Sequence, residues 1–175
     1  MVVKNNYHWL DKDSKAVFIA NGDTIEVLQL KNTEEQYGFR FANAIVKLVD
    51  YPNEPELECK LLLDALLIDG PSMPQQKMKE LYNLVGVDKA EITNKGLRQR
   101  AILEDPYYNA LQVKYGYAVT CHKSQGGQWP VVFIDQGYLT EEMINIEWYR
   151  WLYTALTRAS QKVYLVNFSS RFFEV

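Results

Sequence analysis

YGYAVTCHKSQGGQWPVVFID, residues 115–135, sets two apolar runs on either side of a polar junction. Both runs read as buried strands, and the junction between them carries a hydroxyl, an imidazole, an amine, two amides and two adjacent glycines. Beyond it, Ile146 to Ala159 reads as a helix and KVYLVNF as a third strand. Strand, helix and strand, with apolar strands covered on both faces, predict a parallel α/β sheet. In such sheets ligands gather at the carboxyl ends of the strands, which is where the junction falls.

Upstream the pattern differs. VVK and AVFIA read as short strands, Asn21-Gly22-Asp23 as a turn in which Gly supplies a positive φ, and TIEVLQL as a further strand. FRFANAIVKLV and LECKLLLDALLI have strand composition and are separated by YPNEPE. A strand-rich front with tight turns suits a small barrel. At Gly70 the character changes again. Ser72 is placed to cap a helix with Pro74 in its first turn, Met78, Leu81, Tyr82 and Val85 recur at helical spacing, and Gly86 is placed to end it. A second helix is expected over 90–103, before Asp105-Pro106. The expected division is therefore 1–24 with 113–175 as an α/β layer, and 25–112 as an inserted barrel with a helical segment.

Composition narrows the function classes. At 175 residues the chain suits one domain, or one with an insertion, and a hydrophobic share of 47% suits a globular core. No apolar run approaches the roughly 18 residues of a membrane span, and MVVKNNYHWLDKD lacks the apolar core of a signal peptide, so a cytoplasmic protein is expected. Cys59 and Cys121 are too few for a disulfide framework. A net charge of −3 argues against a basic coat over the whole surface. One stretch is locally basic, with Lys77, Lys79, Lys89, Lys95, Arg98 and Arg100 against Glu80, Asp88 and Glu91; it reads as a solvated helical face or as a binding patch.

In the junction, Thr120, His122 and Ser124 alternate, so an extended backbone would align them on one side, suited to successive phosphates of a single strand. Gln125 and Gln128 would point elsewhere, and Gly126 and Gly127 would let the backbone approach a phosphate or a base. The same residues also suit a loop that satisfies only its own backbone. In WYRWLYTALTRA, Trp148, Trp151, Leu152, Ala155, Leu156 and Ala159 trace an apolar helical stripe, and Arg158 lies roughly a quarter turn from its centre. A guanidinium held on a packed helix suits a phosphate; a carboxylate partner at the surface is the plainer alternative.

Taken together these residues resemble a known family. GYAVTCHKSQGGQW resembles motif V, and LYTALTRA motif VI, of superfamily 1 DNA helicases, nearest to the RecD and Dda branch. VVKNNY and VFIANGDTIEV resemble the part of that branch where an N-G-D turn leads into an inserted SH3-like barrel. The resemblance spans residues 1–30 and 113–175 and implies a second RecA-like domain. It implies that Arg158 is the arginine finger, that Gln125 and Gly126 lie near ATP, and that Thr120 and His122, helped by Lys123 and Ser124, hold single-stranded DNA. UvrD-type relatives carry a glutamate to the ribose where this chain has Gln128. Tyr153 falls in motif VI or serves as a core aromatic, and Trp129 is expected to pack rather than stack on a base.

The resemblance also implies a partner. Such a motor needs a first RecA-like domain whose phosphate loop holds ATP and Mg²⁺, and no Gly-Lys pair occurs in this chain. The chain alone is therefore expected neither to hold ATP tightly nor to hydrolyse it, and to be a piece of a longer helicase, with a retained binding remnant as the alternative. Asp135 imitates a magnesium-binding carboxylate, but without a phosphate loop before it VVFID reads as a plain strand. No metal site is expected. An exodeoxyribonuclease alpha subunit in DNA repair would fit the branch, though no nuclease carboxylate cluster is visible. The competing class is a non-enzymatic single-strand binder using Phe39, Phe41 and Tyr51 as stacking rings. A protein-interaction role for Pro74 to Leu103 is a third reading.

Overall fold

The computed structural model describes residues 1–10, 14 and 16–173. The chain divides into two units, Met1–Gly116 and Tyr117–Val175.

The first unit is built on a four-stranded sheet of β1 (Ile25–Gln36), β2 (Phe39–Leu48), β3 (Leu57–Leu62) and β4 (Leu111–Gln112), in that order. The first two pairs are antiparallel and β3–β4 is parallel. Tyr37 and Gly38, at φ 56° and 70°, make the two-residue turn between β1 and β2. Two positive φ values match the twist of the flanking strands, and Gly accepts one without strain. β1 carries two irregularities of register, at Val27/Gln29 and Leu30/Asn32, which increase its twist.

The N-terminal segment joins this sheet. Val2 bridges Val113, Val3 N–H donates to the Gln112 carbonyl at 2.9 Å, and Asn6 bridges Ile19. Only Ile19 of the expected AVFIA strand is paired, by that single bridge; Lys15, next to the run, lies outside the described residues, as do 11–13 of the N-terminal stretch and 174–175 at the other end. The N-G-D turn forms with Gly22 at φ 113° and returns Gly22 N–H to the Val2 carbonyl at 2.9 Å. The described packing of residues 1–24 is thus with this sheet, and the parallel pair of the second unit is made by the C-terminal segment.

β2 is covered on both faces. Ala42, Ala44, Val46 and Leu48 enter one core with Val2, Ile19 and Leu111. Phe39 and Phe41 enter the other with Leu81, Val85 and Ile102, beneath α2 (Gln75–Asp88) and α3 (Lys95–Leu103). A short helix, α1 (Asp64–Leu67), follows β3. Three helix boundaries differ from expectation. Pro74, not Ser72, occupies the N-cap position of α2, so no side chain caps that end. Gly86 lies inside α2 because the helix passes close to α3 there; an added Cβ would meet Ile102 Cδ1 at 3.2 Å. The second helix starts late, at Lys95, because Asn94 caps it by accepting from Leu97 N–H at 3.1 Å.

A polar cluster locks the sheet. The buried Lys60 ammonium donates to Glu34 and to Asn43 and sits 4.3 Å from the centre of the Tyr107 ring. Tyr107 Oη donates to Glu34 at 2.9 Å. The Lys60 hydrogen bond, then that of Tyr107, holds the Glu34 carboxyl below its ordinary range.

The second unit is a strand–helix–strand: β5 (Trp129–Asp135), α4 (Ile146–Leu156) and β6 (Ala159–Val166). The strands are parallel, paired from Trp129↔Ala159 to Asp135↔Val166 with a register shift between Trp129 and Val131. This gives a mixed α/β chain with two parallel pairs among the described residues, β3–β4 and β5–β6. Asn145 caps α4, its Oδ1 accepting from Glu147 and Trp148 N–H at 2.9 and 3.1 Å. The helix stops at Leu156, short of the expected Ala159, because Ala159 begins β6.

Two expectations for this unit fail. YGYAVT is not a strand: the ladder of the preceding sheet ends with the Val113 bridge, and Tyr115, Tyr117 and Val119 are exposed. Nor are β5 and β6 covered on both faces. Ile134 is buried, but Val131, Phe133 and Tyr164 are exposed, because α4 is the one α-helix among the described residues of this unit and it covers one side.

Candidate functional site

The junction is a chain of tight turns. Lys123 N–H donates to the Thr120 carbonyl at 2.9 Å, Ser124 N–H to those of Thr120 and Cys121 at 3.1 and 3.2 Å, and Gly127 N–H to that of Ser124 at 3.1 Å. Bonds three residues apart coil a backbone instead of extending it. The expected extended row of Thr120, His122 and Ser124 is therefore absent. Thr120 and His122 are exposed, whereas Ser124 is buried and donates its hydroxyl to the Cys121 carbonyl at 2.7 Å. Lys123 is half-buried; Gln125, Gly126 and Gln128 are exposed.

The two glycines do different work. Gly126 has φ 87°, which L side chains rarely adopt, and open space where a Cβ would be. Gly127 is a packing position: an added Cβ would lie 2.4 Å from Trp129 Cη2. The Trp129 indole thus lies against the junction's own backbone at Gly127, with 44% of its surface exposed.

Arg158 ties the helix end to the junction. Its Nε donates to the Thr154 carbonyl at 3.0 Å, Nη1 to the Gly127 carbonyl at 3.2 Å and Nη2 to Thr157 Oγ1 at 3.1 Å. Its own carbonyl accepts from Trp129 N–H at 2.9 Å. Guanidinium has five N–H donors, so the second N–H of each terminal nitrogen has no partner among the described residues. Two parallel donors on one rigid plane match two oxygens of a phosphate. No carboxylate pairs with Arg158 among the described residues. The sequence pointed to Arg158 and to the junction separately; the bond between Arg158 and the Gly127 carbonyl is a long-range contact that no spacing encodes.

Cys121 lies in the same cluster, with Sγ 3.4 Å from the Trp151 carbonyl. Burial raises its thiol pKa, and the nearby Arg158 charge works in the opposite direction. Asp135, at the end of β5, accepts from Gly137 N–H at 2.9 Å and Asn167 Nδ2 at 3.0 Å, and the Gly137 bond leads in holding its carboxyl below the usual range. It anchors a turn. No group of three His, Cys, Asp or Glu residues is arranged to hold a metal ion among the described residues.

Two other candidates change standing. Tyr153 is 70% exposed, so it is not a core aromatic. Phe39 and Phe41 are buried beneath α2 and α3, so neither ring offers a face to a base; Tyr51 remains partly exposed. No helix among the described residues is long and apolar enough to cross a membrane.

No curated protein matches the chain. Residues 115–166, which hold the junction, both parallel strands and the helix between them, match the UvrD-like helicase C-terminal domain family, and this match supports a place for the segment in a DNA helicase.

Proposed function

We propose that the chain supplies part of the second motor domain of an ATP-dependent DNA helicase of the RecD and Dda type. The observation that carries this reading is the position of Arg158, held by the Thr154 and Gly127 carbonyls with one N–H left on each terminal nitrogen. In this reading Arg158 is the arginine finger, stabilising charge on the γ-phosphate of ATP held by a separate N-terminal RecA-like domain that brings the phosphate loop and Mg²⁺. Gln125, Gly126 and Gln128 face the nucleotide: their amides and an open backbone fit a base, ribose or phosphate. Thr120, His122 and Lys123 hold single-stranded DNA, and Ser124 serves that contact by fixing the Cys121 turn. Because the Arg158 fork is bonded to the junction, a shift of the guanidinium on hydrolysis would pull on the segment that holds the strand.

The reading assigns 1–24 with 113–175 to the motor domain, and 25–112 to an inserted SH3-like barrel with its helical segment. A role as an exodeoxyribonuclease alpha subunit in cytoplasmic DNA repair belongs to the same proposal. The alternative, a non-enzymatic strand-binding module using Phe39 and Phe41, loses support from the burial of both rings.

The test is reconstitution. The chain alone is expected to show no ATP turnover. Mixed with a phosphate-loop domain encoded in frame upstream of Met1, it is expected to support DNA-stimulated hydrolysis, which Arg158→Ala lowers by about 10³-fold or more. Turnover by the pure chain that Arg158→Ala removes, or full activity of the Arg158→Ala mixture, would overturn the reading.

A further inference from the structure

The first unit carries a groove whose charge runs against that of the chain. A hollow of about 520 Å³ opens beside α2, and a second of about 230 Å³ shares Lys4, Tyr108 and Gln112 with it. Gln75, Met78, Lys79 and Tyr82, at the spacing of one helix face, line the larger hollow, while Leu81 and Val85 of the same helix enter the core. Lys4 joins them from the N-terminal segment. Gln112 is a fixed point of the lining: it is buried, accepts from Met73 N–H at 3.1 Å and donates to Met78 Sδ at 3.3 Å.

The chain has a net charge of −3, yet no Asp or Glu lines either hollow. Lys4 and Lys79 are exposed, and neither has a carboxylate partner among the described residues. By contrast, Lys77 pairs with Glu80, Lys89 with Asp105 and Arg100 with Glu104 on and beside the same helices. Bare cations on an acidic chain are complementary to a negatively charged partner. The rest of the lining decides its class. Tyr82 and Tyr108 meet edge to face at 5.6 Å and pack against the buried cluster beneath α2 and α3, so neither ring stands clear to stack a base. Met73 and Met78 instead offer thioethers, which adapt to side chains of varied shape. The exposed Gln75 amide carries both a donor and an acceptor, as a peptide group does. A free phosphate would engage the ammoniums and leave the thioethers and the amide unused.

We infer that this groove docks an acidic, partly apolar peptide segment of a protein partner, its carboxylates on Lys4 and Lys79 and its apolar side chains on the methionines. The lining residues all belong to the first unit, and the inference does not rest on the motor reading.

Anisotropy of a fluorescein-labelled short peptide of alternating Asp and Leu, titrated with the full chain, tests this. Saturable binding is expected at low salt and should weaken as salt rises. Lys4→Ala/Lys79→Ala removes two exposed side chains and should keep the parent circular dichroism. It should weaken binding about tenfold, the combined effect of two exposed ion pairs. Gln75→Glu, which sets a carboxylate in the groove, should weaken binding in the same direction. Lys95→Ala/Lys162→Ala makes the same change of net charge at exposed positions outside the groove and should leave affinity unchanged. A peptide with Ser in place of Leu should bind more weakly, because the methionines lose their partners. Absence of saturable binding, unchanged affinity in the Lys4/Lys79 variant, or an equal loss in the Lys95/Lys162 variant would overturn the inference. Equal binding of the Ser peptide would overturn it as well, since any polyanion would then serve. Oligothymidylate should leave the peptide in place; displacement of the peptide by it would give the groove to nucleic acid instead.

Discussion

Arg158 has a structural role that precedes any chemistry. Its guanidinium closes a ring of bonds from the end of α4 to the junction, so Arg158→Ala should cost the second unit about 1–2 kcal/mol as well as remove the proposed finger. Arg158→Lys cannot keep the Thr154, Gly127 and Thr157 bonds together, because an ammonium on a flexible stem lacks the planar fork. It should recover part of the thermal stability and little of the reconstituted turnover. Glu34 gives a prediction in pH. Its carboxyl sits below its ordinary range when folded, so it contributes stability above that range, and the contribution is lost as pH falls through the lowered folded value. In urea titrations, Glu34→Gln should be less stable at neutral pH by about 1–3 kcal/mol, with a shallower loss below about pH 4.3. The thiols should be quiet at neutral pH, since burial pushes Cys59 up to about 12 and raises Cys121. Maleimide should label both quickly only after unfolding.

At the scale of the element, the sequence was most informative where one residue type does one job. The N-G-D turn, the break at Asp105-Pro106 and the β5–α4–β6 order could all be read, because Gly, Pro and apolar periodicity act locally. Ser72 and Gly86 misled for the same reason. A serine near a helix start reads as a cap whether or not the backbone turns there, and a glycine inside α2 marks close approach to Ile102 rather than a helix end. The coiled junction was equally hidden, since alternation of Thr120, His122 and Ser124 carries no signal against a run of turns. The Lys60–Glu34–Tyr107 cluster joins residues far apart in the chain, and nothing in their spacing predicts it. The capping residues give the element-scale test. Asn145→Ala removes the acceptor for two N–H groups at the start of α4 and should destabilise the second unit by about 1 kcal/mol, read as lower protection of α4 amides in hydrogen exchange.

For the whole molecule, the two units differ in how their cores are made. The first has two buried clusters, one on each side of β2, and the second relies on one helix against two strands. The exposed stretch at residues 115–119, which bends at Gly116 and Tyr117, lies where one unit gives way to the other. Limited chymotrypsin digestion should therefore cut first after Tyr115 or Tyr117, and the N-terminal product should keep its circular dichroism signal. An early cut within β2 or α2 would contradict the division. The same contrast explains which half was easier to read. Motifs mark the second unit, whose residues 115–166 match a known family, while the first unit is specified by packing that many sequences can achieve.

The open side of the β5–β6 pair has a thermodynamic consequence. Phe133 and Tyr164 stack at 4.7 Å and remain exposed, with the Lys162 ammonium over the Tyr164 ring, and Val131 is also exposed. Apolar surface that is wet in the native state contributes nothing to the heat capacity of melting. The second unit should therefore absorb heat weakly and over a wide span of temperature in a calorimeter, beneath the sharper endotherm of its neighbour.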